Sequence, residues 1–179
     1  MTETSTTQLV GVAIPTLREL RAAVLTSNLP DAAVEALRQA GFAGGEAVHS
    51  AFEQWLSETG VSDGTTGRAD SAELTVEAFG HGAATFFRSA GWGDVTFLGD
   101  ENEGVAILDI ADCWEAAGDG SSAGTGCHIT TGLLAAFFGR IAGYPVAVME
   151  TECADGSGSR CRFLMGNAEV MNYKWQDIR

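Results

Sequence analysis

A chain of 179 residues that is 45% apolar and 19% charged has enough to bury for one core and is short for two. Its 24 acidic side chains against 10 basic ones, Lys174 being the single lysine, set the net charge at −14 and the pI near 4.4. A surface of that sign repels phosphate backbones and anionic headgroups, so nucleic-acid binding through basic patches is excluded, and no apolar run approaches the roughly 18 residues of a membrane span.

Residues 1–13 read as a tail without chemistry, ahead of a single domain over 14–179. The tail carries Glu3 where a secretory signal would be basic, so a cytoplasmic location with reduced thiols is expected. Leu17, Leu20 and Val24 recur at helical spacing, and Pro30-Asp31 opens a second, short helix reaching about Ala40. Gly41, Gly44 and Gly45 then loosen the chain before another helix from Ala47 to Glu58, with Val48, Phe52, Trp55 and Leu56 on one face. A glycine-rich connector (60–69) leads to Asp70 and Glu73, spaced as a capping box for a helix ending near Ser89.

After Gly91 the period changes to two. Val95 and Phe97 alternate with polar residues, an acidic turn follows, and Val105–Ala111 completes a β-hairpin. The stretch 118–126 is almost wholly glycine, serine and small residues, and reads as a flexible loop. Ile129, Leu133, Phe137 and Ile141 mark a further helix, and strands over 145–151 and 161–165 flank a turn. Hairpins with helices grouped apart predict an α+β fold with a four-stranded antiparallel sheet.

The sharpest constellation is Cys127, Glu150, Cys153 and Cys161. Zinc takes four thiolate, imidazole or carboxylate ligands, and a turn bracketed by Cys153 and Cys161 pre-positions two of them. Residue types alone leave three readings open: a zinc site, four buried thiols, or a disulfide between Cys153 and Cys161. His128 and Glu152 are substitute ligands, and Cys113 reads as a small core residue. The pattern Gly120-Ser121-Ser122-Ala123-Gly124 matches a hydrolase elbow in letters only, because no acid and then histidine follow at workable intervals.

The segment Gly126–Phe163, GCHITTGLLAAFFGRIAGYPVAVMETECADGSGSRCRF, resembles the C-terminal signature of the 4-vinyl reductase domain, a family of small-molecule-binding domains. A cysteine opens a glycine-containing helix, a strand ends in E-T-x-C at Glu150–Cys153, and a glycine-bearing turn leads to C-x-F at Cys161–Phe163. The signature region runs over 126–166, and a weaker likeness extends back to about Leu29. Phenol- and xylene-sensing regulators of this family hold zinc through three cysteines and a glutamate at intervals matching Cys127, Glu150, Cys153 and Cys161. The resemblance therefore implies structural zinc there.

It further implies a fold similar to that of TRAPP vesicle-tethering subunits, a homodimer, and an apolar pocket between sheet and helices for an aromatic hydrocarbon, acyl chain or tetrapyrrole precursor. The expected pocket residues are Phe79, Phe86 and Phe87 on the third helix, Phe97, Ile107 and Trp114 around the first hairpin, and Phe137, Met149 and Phe163 beyond it. His81 is the preferred orienting group, ahead of His49 and Tyr144. The tryptophan with which the phenol sensors orient a hydroxyl falls on Ala106, which argues against phenol. The leading expectation is a binding domain, not an enzyme, acting through a separate effector protein. A part in chlorophyll vinyl reduction and a ligand-free scaffold subunit are the alternatives.

Overall fold

A computed structural model describes residues 11–27, 29–59, 74–100, 104–116, 126–154 and 160–177. The tail up to residue 10, the Asp70–Glu73 capping box, the hydrolase-like pattern and most of the loop that holds it lie outside those residues. In chain order the elements are α1 (Ile14–Ser27), α2 (Pro30–Thr59), α3 (Val76–Ser89), β1 (Asp94–Asp100), β2 (Val105–Ala111), α4 (His128–Ala142), β3 (Ala147–Glu152), β4 (Arg160–Gly166) and α5 (Ala168–Asp177).

The largest departure from the sequence reading is α2, one helix of 30 residues where two were expected. Glycine in a helix interior costs about 1 kcal/mol relative to alanine, which is why Gly41, Gly44 and Gly45 read as a break. Packing overrides that cost. A Cβ on Gly41 would lie 2.0 Å from the Ile129 carbonyl oxygen, one on Gly45 2.4 Å from the Ala136 Cβ, and one on Gly132 of α4 1.9 Å from the Arg38 carbonyl oxygen. Gly41 and Gly45 on one helix and Gly132 on the other thus bring the backbones of α2 and α4 into direct contact.

Helix α3 opens at Val76 rather than near Asp70: Thr75 is its N-cap and accepts a hydrogen bond from the Ala78 N–H at 3.2 Å. Helix α5 was not anticipated. Its Met171 is buried, and its own sequence carries little apolar periodicity.

All strand pairs are antiparallel, in the order β1-β2-β4-β3. Leu108 pairs with Phe97 and Phe163, and Ile110 with Val95 and Cys161, so these side chains share the face that meets the helices. There they pack on Phe52, Phe86, Phe87 and Phe137, whose rings approach to between 5.2 Å (Phe87–Phe137) and 5.6 Å (Phe86–Phe87). The opposite face carries Leu98, Ile107, Leu164 and Met149 in one cross-strand row. Beside them Asp109 accepts both Arg162 bonds at 2.7 Å.

Candidate metal centre and apolar cleft

The two hairpins and α4 bring Cys127, Glu150, Cys153 and Cys161 together: one potential ligand atom from each lies within 4.8 Å of all the others. Cys127 immediately precedes α4, Glu150 and Cys153 come from β3 and its exit, and Cys161 lies on β4. Cys127 and Cys161 are fully buried, with their sulfurs 3.5 Å apart. Glu150 Oε2 accepts the Cys127 backbone N–H at 2.7 Å, whereas its buried Oε1 has no protein partner. The Ala154 N–H lies 3.5 Å from the Cys161 sulfur and points to it.

A β-bulge between Glu150 and Glu152 separates two acids that strict alternation would put on one face. Glu150 pairs with inward-facing Phe163, and Glu152 with outward-facing Arg162, whose Nη1 donates to it at 3.2 Å. Glu152 is thereby removed from the cluster for which it was a substitute ligand. His128 also stays outside the four-atom set. Burial and the neighbouring Arg38 and Arg21 hold its pKa down to about 4, so the ring is neutral at pH 7. Gly126, at φ 123°, lets the chain pass: a Cβ there would sit 2.7 Å from His128 Cε1 and 3.2 Å from Glu150 Oε2.

The donor chemistry fits a divalent soft-to-borderline cation such as zinc. Burial pushes the Glu150 carboxyl up, and contact with Cys113 pushes the thiols of Cys127 and Cys161 up, while contact with Cys127 pulls Cys113 and Cys153 down. Crowded acids of this kind share protons for want of positive charge, and a cation relieves that while leaving the thiolates ligated. The orphaned Glu150 Oε1 is where such a cation would find its oxygen ligand.

The sequence reading missed Glu115 and α1. Cys127 gives α4 no side-chain cap, and the open N–H groups of Ile129 and Thr130 donate instead to the Glu115 carboxylate at 3.0 and 2.8 Å. The Thr130 hydroxyl adds a third bond at 2.9 Å. Burial pushes Glu115 up, against the pull of these donors and of Arg21. Arg21 reaches it from α1 at 3.3 Å and also donates to the Gly126 carbonyl at 2.8 Å, while Arg18 donates to the Trp114 carbonyl at 2.9 Å. A helix start with no local capping residue was the one signal that a remote acceptor had to exist.

The ten expected pocket residues do not converge on one space. Phe86, Phe87, Phe137 and Phe163 are buried in the aromatic core, with Phe79 and Phe97 at its edge. Ile107 and Met149 lie on the opposite sheet face, Trp114 packs edge-on against Trp92, and His81 is exposed. His49 meets Phe137 edge-on. A cleft of about 370 Å³ instead opens at the C-terminal end of α4, where Phe138, Ile141, Val146, Met165 and Ala106 line it and Tyr144 stands at its rim. None of its lining side chains is charged. A second hollow of about 570 Å³ shares Tyr144 and Val146 with it and extends towards Phe42 of α2.

Residues 106–167 match the family model of the 4-vinyl reductase domain. No curated protein matches. Among solved structures, the chain is similar to the phenol-responsive sensory domain of the transcription activator PoxR with phenol, at TM-score 0.64 and 15% identity, over 93% of this chain and 82% of that one. A vinyl-4-reductase family protein from Methanocaldococcus jannaschii aligns at TM-score 0.37 and 14% identity, over 88% of this chain and 96% of that one. No helix among the described residues is long and apolar enough to cross a membrane. The E-T-x-C and C-x-F strands, the helix they grip and the first hairpin's return strand all fall in the matched segment, so residues 106–167 form a 4-vinyl reductase domain within a fold like that of the PoxR sensory domain.

Proposed function

We propose that this chain is a small-molecule-binding, sensor-like domain that takes an uncharged apolar ligand in the cleft at the C-terminal end of α4, and that zinc held by Cys127, Glu150, Cys153 and Cys161 braces the other end of that helix. The cleft carries the reading: it is concave, apolar and without a charged wall, and its volume lies in the range of small-molecule sites. Ala106 supports it further. Where the phenol sensors are expected to place a hydroxyl-orienting tryptophan, this chain lines the cleft with a methyl group, which enlarges the space and removes a donor. The ligand class is therefore a hydrocarbon or hydrocarbon-like molecule, with Tyr144 as the one side-chain hydroxyl within reach. Four protein donors would close the coordination sphere, so the metal's role is structural.

Native mass spectrometry of protein purified without chelators tests the whole reading. One divalent metal per chain together with an apolar adduct is expected, and the same spectrum reports whether the chain pairs as the homodimer the family resemblance implies. A folded, metal-free chain that takes up no hydrocarbon when one is supplied would overturn it.

A further inference from the structure

The quartet leaves one cysteine over. Cys113, on the segment leaving β2, is 2% exposed, and its sulfur lies 3.7 Å from that of Cys127. It is also in hydrogen-bonding contact with Cys161. Two thiolates bound to one tetrahedral zinc at about 2.3 Å stand about 3.8 Å apart. The Cys113–Cys127 and Cys127–Cys161 separations, 3.7 and 3.5 Å, are both of that size. Cys113 has no stronger claim on its sulfur, since its other neighbour, the Thr130 hydroxyl at 4.0 Å, is committed to Glu115. Glu150, in contrast, comes from the sheet's edge strand, next to the bulge, and one of its oxygens is already taken by the Cys127 N–H.

We propose that Cys113 is a reserve ligand of this centre: when the Glu150 carboxylate leaves the ion, the Cys113 sulfur replaces it. One pocket then has two donor sets, three thiolates with a carboxylate and four thiolates. The inference rests on the metal reading above. Cys113 lies outside the four atoms that fall within 4.8 Å of one another, so the exchange requires a shift of the ion towards the core side of Cys127 and Cys161. The step is a ligand substitution: the metal–oxygen bond breaks, a metal–sulfur bond forms, the thiol proton passes to the departing carboxylate, and no electron moves. Ions softer than zinc favour the all-sulfur set.

Cobalt(II) spectra of the whole chain count the thiolates. The unaltered protein should show three, and Cys113→Ser should leave that spectrum unchanged. Glu150→Gln should still bind cobalt, with thiolate-to-metal absorbance about one third higher. Adding Cys113→Ser to Glu150→Gln should remove that gain and weaken binding at least ~10-fold. Three-thiolate absorbance in Glu150→Gln, indifferent to Cys113→Ser, would overturn the proposal, as would a loss of absorbance in Cys113→Ser alone. Should Glu150→Gln fail to fold, cadmium-113 NMR decides: a four-sulfur shift in the unaltered chain that reverts in Cys113→Ser supports the reserve role, and identical shifts refute it. An unaltered chain that binds neither cobalt nor zinc would instead remove the quartet itself.

Discussion

At its N-terminus α4 is tied to α1, β3 and the segment after β2 by charged and polar bonds: Glu115 takes two of its N–H groups, Glu150 takes that of Cys127, and Arg21 closes over Gly126. At its C-terminus the same helix ends over a cleft, where Phe138 and Ile141 are only partly buried and Tyr144 is exposed. The contrast separates two kinds of hold. A buried carboxylate or thiol cannot move without losing hydrogen bonds that water does not replace, so the first end is confined to one geometry. Partly covered apolar side chains lose little on exchanging one neighbour for another, so the second end accepts a guest molecule.

The largest effect is expected where α4 meets α2. Gly132→Val would force a side chain into the Arg38 backbone, and because neither helix backbone can yield, destabilisation of about 3 kcal/mol or more should appear in urea unfolding. A small change there would mean that the helices slide past each other freely. Metal removal comes next. Stripping the ion with a chelator, or making Cys161→Ser, should lower the melting temperature by an amount corresponding to several kcal/mol, and should loosen the α4 N-terminus in hydrogen exchange before the cleft end responds. Equal loosening of both ends would erase the distinction between them.

A third substitution acts on the cleft alone. Ala106→Trp should fill it, reducing uptake of an apolar fluorophore such as Nile red by ~10-fold or more while leaving the melting temperature within a few degrees. Retained uptake would place the ligand elsewhere. The smallest effect belongs to the outer sheet face, remote from both ends. Hydrogen bonding from Arg162 holds the Asp109 carboxyl below the usual carboxylate range. The ionised form is thus favoured in the folded state, and its contribution is present above pH about 4 and lost as pH falls through the folded-state value. Asp109→Asn should accordingly be less stable than the unaltered chain at pH 7, with the difference closing in acid; a difference that persists below pH about 2 would assign the loss to packing instead.

Much of the architecture was legible because period and spacing are local. Alternation located both hairpins, steps of four located α4, and three cysteines with a glutamate at short intervals located the candidate metal centre. Where the reading failed, a long-range contact had reversed a local preference. Gly41 and Gly45 look like a break until Gly132 stands opposite them. Glu152 looks equivalent to Glu150 until the bulge turns it to Arg162. Cys113 looks like ordinary core until Cys127 and Cys161 are beside it. The expected pocket drew on the most apolar side chains, and those are the ones that pack most tightly together, whereas the open cleft is lined by residues of moderate size at the helix end.

The sequence by itself determined the element types, the antiparallel hairpins, the acidic surface and the donor spacing of the 4-vinyl reductase signature, since each depends on residues close along the chain. Only the tertiary structure decided that α2 is continuous, that Glu115 and Arg21 secure the start of α4, and that the cleft opens beside Ala106. Each of these depends on atoms far apart in sequence, where the close approach of two backbones, or the burial of a charge beside an uncapped helix end, outweighs local preference.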